Sequence, residues 1–421
     1  MSGPGRTSAA DGASPQRMAR RLEELYEIGA GPGANRPGLS ATEQEAHDLA
    51  SGWMEAAGLG VSVDAAGNLF GRSPGSDPRL AEVWTGSHLD TVPNGGRFDG
   101  ALGVVAGIEA VTLAGRDRRR ARALAVVAFR DEEGCRFGEG FFGSRALCGV
   151  IGRAELDIRD AGGISIGEAL ADLGLPGPFA AAAPARLPET FVELHVEQGN
   201  TLGERGVAVG VVGEIVAMAG LTVHFTGERA HAGGASMGDR RDALVAGARF
   251  VVAANAVASS RPDFRATVGE LNVRDAASNV VANDVVATVD ARARSDGDLD
   301  SLVGALTAAG RSAAEESGCA AELRTLWRHR AVEMDPEVTR VLSAAARADG
   351  TPASQAVETT SWAGHDAGVL RAAGVAVGML FVRAGRGGVS HSPNETVELD
   401  DIGAAVSVLA EALGDLADTP A

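Results

Sequence analysis

The chain has 421 residues, 45% of them hydrophobic and only 4% aromatic, enough for two cores packed mainly from small aliphatic side chains. A formal charge of −18 argues against nucleic acid or an anionic membrane as partner. Positive charge for an anionic substrate must then come from a few placed arginines or from metal ions, and every basic residue is Arg.

Residues 1–16 are small, polar and rich in Pro and Gly, with no apolar stretch, and read as a disordered tail and not a signal peptide. Helical periodicity starts at Met18, and Ser40-Ala41-Thr42-Glu43 reads as a capping box opening a second helix that runs to Ala57. Apolar runs follow at 61–63, 81–85 and 123–129, the last two bracketing a helical stretch at 103–113. Strand, helix, strand in that order predicts a βαβ unit and a parallel sheet. Residues 213–329 follow another pattern, with strands at 219–225, 266–273, 285–293 and 321–327 and helices at 241–259 and 299–317. That is the βαββαβ order of a ferredoxin-like unit. The expected fold is therefore α/β. Residues 17–212 and 330–421 form a large catalytic domain with a central mixed, mainly parallel sheet flanked by helices, and 213–329 form an inserted domain. No apolar run reaches the ~20 residues that span a bilayer. The three cysteines, Cys135, Cys148 and Cys319, form no paired framework, which fits a reducing cytoplasm.

The chemistry concentrates where apolar runs meet polar loops. His88 closes one buried run, Asp90 lies two residues on, and a Gly-rich loop brings Asp99 back toward the same point. Imidazole suits zinc and its neighbours, and a nearby carboxylate can fix the ring tautomer. The next run ends in Asp131-Glu132-Glu133, three acids that repel one another at a buried strand end without a counter-cation. Alternation in Glu193-Leu194-His195-Val196-Glu197-Gln198 places His195 and Glu197 on one face, and His391 stands in Val389-Ser390-His391-Ser392-Pro393. Each segment alone is equally well a polar junction or a solvated turn; the pattern lies in their recurrence.

Six motifs in order, GSHLDTVPNGGRFDG, DEEGCRFG, ELHVEQG, GERAHAGG, GHDAG and VSHSP, make the chain resemble the M20-type amidases of the hydantoinase/carbamoylase group. That group includes N-carbamoyl-L-amino acid hydrolases, allantoate amidohydrolases and β-ureidopropionases. The resemblance implies two divalent metal ions per subunit, zinc first, with manganese, cobalt and nickel as alternatives. It assigns His88, Asp99 and His195 to one ion, and Asp99, Glu133 and His391 to the other. It makes Glu132 the general base, with Asp90 supporting His88. His231 would polarise the scissile carbonyl, while Asn279 and Arg292 hold a substrate carboxylate and Gln198 and His365 line the pocket. It also implies that the inserted domain is a lid that dimerises the chain. Related peptidases place a carboxylate where this chain has His195, which favours an amidase.

The expected reaction is hydrolysis of the ureido C–N bond of an N-carbamoyl-L-amino acid, in a cytoplasmic homodimer whose partner is a small carboxylate-bearing ureide or amide. The rivals are allantoate hydrolysis, a metallo-exopeptidase and a non-catalytic binding protein. The chain departs from the group's pattern at Gly234-Ala235-Ser236, Ala282-Asn283 and Arg383, all expected near pocket walls.

Overall fold

The computed structural model describes residues 14–29, 31–116, 120–180, 186–348 and 357–418, so residues 1–13 of the expected tail lie outside the described residues. The chain divides into two compact units, Met1–Glu214 with Glu333–Ala421, and Ile215–Val332.

The first unit opens on α1 (Pro15–Glu27), which starts ahead of the periodic run at Met18. Ser14 accepts the N–H of Arg17 and Pro15 sits in the first turn, start signals independent of apolar spacing, so the tail ends before residue 16. Next comes α2 (Ala41–Ala56), whose cap Ser40 accepts the N–H of Glu43. The other half of the expected capping box does not form. The buried Glu43 carboxylate instead takes the N–H groups of Leu39 and Asp131 and one from the Arg130 guanidinium. A desolvated carboxylate needs several donors, and a neighbouring loop supplies more of them than the helix start does.

The chain continues through β1 (Gly60–Val63), β2 (Leu69–Ser73), β3 (Val83–His88), α3 (Ala101–Ala114), β4 (Leu124–Phe129), α4 (Phe142–Leu147), α5 (Ile166–Asp172), β5 (Thr190–Val196), α6 (Thr201–Arg205) and β6 (Val209–Ile215). The second unit holds β7 (Ala217–Thr226), β8 (Ala230–His231), α7 (Ala243–Ser259), β9 (Phe264–Val273), β10 (Val280–Val281), β11 (Asp284–Ala293), α8 (Asp296–Glu315) and β12 (Ala320–His329). After it come β13 (Val332–Glu333), α9 (Pro336–Ala348), β14 (Val357–Ser361), α10 (Asp366–Ala372), β15 (Ala376–Val382) and α11 (Leu399–Asp418).

The large sheet runs β1-β2-β4-β3-β5-β15-β6-β13, with β14 beside β6. Its centre, β4-β3-β5-β15, is parallel and buried almost throughout, so its sequence is apolar without alternation. α3 is buried along its length from Ala101 to Val111 and packs on β3 and on α11. Strand order reverses at β3, with β4 on one side and β5 on the other. Such a reversal leaves a crevice beyond the carboxyl ends of the strands, where ligands bind in open α/β sheets.

In the second unit β12-β7-β11-β9 is antiparallel throughout, and α7 and α8 pack Phe250, Leu299, Leu302 and Leu306 against Val223, Phe225 and Val285. β11 alternates strictly, Val285, Ala287, Val289, Ala291 and Ala293 facing the core, Asp290 and Arg292 the other side. β8 pairs with β10 in a short ribbon that sets His231 opposite Val280. These are the α/β sheet and the βαββαβ unit expected from the pattern. Among the described residues no helix is long and apolar enough to cross a membrane.

Candidate metal centre

Four loops converge beyond the carboxyl ends of β3, β4 and β5. β3 ends on His88 itself. The loop after it returns through Asp99 to Gly100, whose φ of 61° and position against the His88 ring leave no room for a side chain: a Cβ there would lie 2.4 Å from the ring. β4 leads into Asp131-Glu132-Glu133, with Asp131 held at φ 49°, and β5 carries His195. The loop before α11 brings His391 at φ 52°. Non-glycine residues in the left-handed region are strained, and two of them stand here next to acids or on a ring.

Asp99 is the hub. Its Oδ1 lies 3.1 Å from His195 Nε2 and 3.8 Å from His88 Nε2, whereas its Oδ2 lies 3.1 Å from His391 Nε2. His391 Nε2 is in turn 3.7 Å from Glu133 Oε1, and His88 Nε2 is 3.8 Å from Glu132 Oε2. The far side of two rings is anchored: His88 Nδ1 sits 3.2 Å from the Asp90 carbonyl and 3.3 Å from its Oδ1, and His195 Nδ1 sits 2.9 Å from the Val196 carbonyl. Carbonyl oxygens only accept, so Nδ1 donates in both and Nε2 is the nitrogen that faces inward. Asp90 also binds the acid loop, its two oxygens accepting the N–H groups of Glu132 (3.0 Å) and Glu133 (3.1 Å).

The electrostatics show a centre short of positive charge. Burial pushes the Glu132 carboxyl well above the usual range against the pull of His88, and burial with the Asp99 charge pushes Glu133 up to about 7. Burial would lower His88, but Glu132, Asp90 and Glu133 hold it well above its ordinary value. His391 is raised against burial to about 9, chiefly by its bond to Asp99. Asp99 stays well below the usual carboxylate range despite burial, because His195 and His391 donate to it.

These residues fit divalent ions. Among the described residues, His88, Asp99 and His195 form one group of three with ligand atoms within 4.8 Å of one another, and Asp99, Glu133 and His391 form another. The two groups share only Asp99, and the buried Glu133 Oε1 has no hydrogen-bond partner. A carboxylate with one oxygen turned to each group can serve both, and the ligands must shed any protons they hold when cations bind. A third group, His88, Glu132 and Glu133, overlaps both, and a fourth, Glu193, His195 and His365, fits less well, since Glu193 is already committed to the Ser87 hydroxyl (2.8 Å) and the Ala367 N–H (2.9 Å).

The other expected site residues fall into two places. Gln198 Nε2 lies 3.1 Å from both Asp99 Oδ2 and His391 Nε2, while its buried Oε1 lacks a partner; the His365 ring packs 4.6 Å from that of His195. His231, Asn279 and Arg292 belong to the second unit. His231 Nδ1 accepts the N–H groups of Gly233 and Gly234, both at 3.1 Å, which leaves Nε2 as the protonated nitrogen. The Asn279 carbonyl accepts the N–H of Ala232, beside His231. Arg292 binds Asp290 through two nitrogens at 2.7 and 3.0 Å.

One expectation needs correction. Glu197 does not join the His195 cluster: β5 ends at Val196, and the Glu197 carboxylate accepts the N–H groups of Thr201 and Leu202 at the start of α6. Arg383, one of the departures from the group's pattern, has its guanidinium paired with Asp401 of α11. Sequence reasoning missed Glu395, whose carboxylate binds both the Asp99 loop and Ser390, and Asp366, buried against the Ser144 hydroxyl. Asp366 stood within the quoted GHDAG motif, the one signal that pointed to it.

Comparison with known proteins agrees with this geometry. Residues 84–415 match the model of peptidase family M20/M25/M40. An N-carbamoyl-L-amino acid amidohydrolase from Geobacillus stearothermophilus is 38% identical over 96% of this chain and 98% of its own length. An allantoate deiminase from Arabidopsis thaliana is 32% identical over 93% of this chain and 81% of its own. The crystal structure of a hydantoinase/carbamoylase-family amidase from Burkholderia vietnamiensis superposes with a TM-score of 0.90 at 33% identity, covering 99% of this chain and all of that one. The chain therefore belongs to peptidase family M20/M25/M40, among its amidases of the hydantoinase/carbamoylase group.

Proposed function

We propose that the protein is a metal-dependent amidohydrolase that cleaves N-carbamoyl-L-amino acids to the amino acid, ammonia and carbon dioxide, consuming one water. The observation that carries this reading is Asp99, with one oxygen turned to His88 and His195 and the other to His391. Its support in the comparisons is the near-full-length likeness to N-carbamoyl-L-amino acid amidohydrolases.

His88, Asp99 and His195 would hold one ion, and Asp99, Glu133 and His391 a second, zinc being the first choice for a His/carboxylate set. Ions held there would supply the positive charge that activates a water and polarises the scissile carbonyl. Glu132 accepts the proton of the attacking water and returns it to the leaving nitrogen, a task suited to a buried carboxyl whose affinity for protons is raised. His231, with Nε2 protonated, donates to the developing oxyanion. Asn279 and Arg292 hold the substrate carboxylate, Arg292 turning part of its fork from Asp290 to do so. Gln198 offers its unpartnered Oε1 to a substrate N–H, and His365 lines the pocket beside it. The reading includes a homodimer, implied by the family resemblance, and a cytoplasmic setting, which suits the free thiols of Cys135, Cys148 and Cys319.

Allantoate is the second reading, since allantoate deiminases are also near full-length relatives. Ammonia release by the zinc- or manganese-loaded protein, with N-carbamoyl-L-amino acids and allantoate in parallel, separates the two. Turnover of a carbamoyl amino acid that is lost with chelator is the expected result. Allantoate turnover alone overturns the substrate, and activity indifferent to chelator overturns the metal mechanism.

A further inference from the structure

Glu395 lies outside every role assigned above, yet it is almost completely buried at the centre's edge. Its Oε2 accepts two successive backbone donors, the N–H of Phe98 at 2.6 Å and the N–H of Asp99 at 3.1 Å. Its Oε1 accepts the Ser390 hydroxyl at 2.9 Å, one residue before His391. Ser390 in turn lies 3.4 Å from Asp99 Oδ2 and 3.3 Å from Gln198 Nε2. The surroundings are shaped for this carboxylate: a Cβ on Gly96 would fall 2.1 Å from Oε2, so only glycine there lets Glu395 reach the loop backbone.

A buried carboxylate close to Asp99 is electrostatically unfavourable, and an apolar side chain would fill the volume without that cost. What the carboxylate supplies is acceptors for three donors on two loops. One loop carries the ligand shared by both groups of three, and the other carries His391, which belongs to only one of them. A shared ligand must satisfy both sides at once and tolerates displacement of about half an ångström.

We infer that Glu395 is a positioning residue for the metal centre: by tying the Phe98–Asp99 backbone to Ser390, it sets both oxygens of Asp99 in register with the imidazoles on either side. The inference rests on the metal reading proposed above. It makes the loop pair act as one body, so losing the strap weakens metal binding and not merely the fold.

The test compares Glu395→Ala, Glu395→Gln and Ser390→Ala with the wild type. Zinc affinity is measured by chelator competition, bound zinc is counted by elemental analysis, and Tm is taken on the metal-free proteins. Glu395→Ala should lower zinc affinity about 10–100-fold, the usual effect of removing a partner that orients a ligand. Glu395→Gln should recover most of that loss, because its carbonyl oxygen can accept both N–H groups while its amide donates to Ser390. Ser390→Ala, which cuts one end of the strap, should fall between. Wild-type zinc affinity in Glu395→Ala, with only the metal-free Tm lowered, overturns the inference, as does a Gln variant no better than Ala. If Glu395→Ala does not fold, Ser390→Ala decides, and undiminished affinity there overturns the strap. A wild type that takes up no zinc overturns the metal reading and this inference together, which is distinguishable from failure of the strap alone.

Discussion

The two units use histidine in opposite ways. In the first, the Nδ1 atoms of His88 and His195 donate to carbonyl oxygens, and the Nε2 atoms turn toward Asp99. In the second, His231 Nδ1 accepts two backbone N–H groups, so Nε2 carries the proton. The first arrangement suits metal ligands and the second suits a donor. Burial differs in the same sense. His88 and His195 are closed in and braced, whereas His231 is exposed on a two-residue strand. A metal centre needs rigid lone pairs that cannot be satisfied by water, while a group that meets a substrate has to stay reachable.

The comparison breaks most severely at the shared ligand. Asp99→Ala removes the one residue common to the two groups proposed to hold ions, so metal content should fall to none and turnover to background; elemental analysis of the purified variant checks it. Retention of one ion would show that the remaining residues form an independent site. Glu132→Gln leaves every proposed ligand in place. It should keep its metals while kcat drops about 10²–10⁴-fold, the range expected for loss of a general base. In the second unit, His231→Ala should leave metal content untouched and lower kcat about 10²–10³-fold, as for removal of one oxyanion donor. A loss of metal in that variant would dissolve the distinction between ligand and donor histidines.

Arg292 sharpens the contrast from the binding side. Arg292→Ala removes a charged hydrogen-bonding group worth about 1.5–3 kcal/mol, so KM for carboxylate substrates should rise about 10–100-fold with little change in kcat. Kinetics with an uncharged amide analogue provide the control, because only the carboxylate substrate should respond. Equal KM values in variant and wild type would leave Arg292 as the partner of Asp290 and nothing more.

What could be read from the sequence follows from how local each signal is. The αβ pattern, the inserted βαββαβ unit and the strand-end clusters at His88, Glu132 and His195 announce themselves within a few residues, because burial at strand ends makes polar residues conspicuous. Glu395 and Glu43 do not. Each is an ordinary acid in its own segment, and its meaning comes from donors elsewhere: Phe98 is 297 positions from Glu395, and Asp131 is 88 from Glu43. Glu43 was read as half of a capping box because the spacing matched, and tertiary donors won. Glu197 misled in a similar way. The alternation was real, but the strand ended one residue too soon for it to matter.

Arg383 is the smallest expected effect. Its place in the pattern suggested a pocket wall, yet Nε and one terminal nitrogen meet the two oxygens of Asp401 at 2.8 and 3.0 Å. Arg383→Ala should therefore leave kcat, KM and substrate preference unchanged and lower stability by about 1 kcal/mol at most, the upper end for a partly exposed ion pair. Thermal unfolding and a substrate panel on the same preparation give both readings. The loss stays small because Asp401 lies in the first turn of α11, where the unpaired N–H groups and the helix dipole favour a negative charge without help from the guanidinium. A changed substrate preference at unchanged stability would mean that the arginine leaves Asp401 for the ligand during turnover, and the ion pair would then be a resting position.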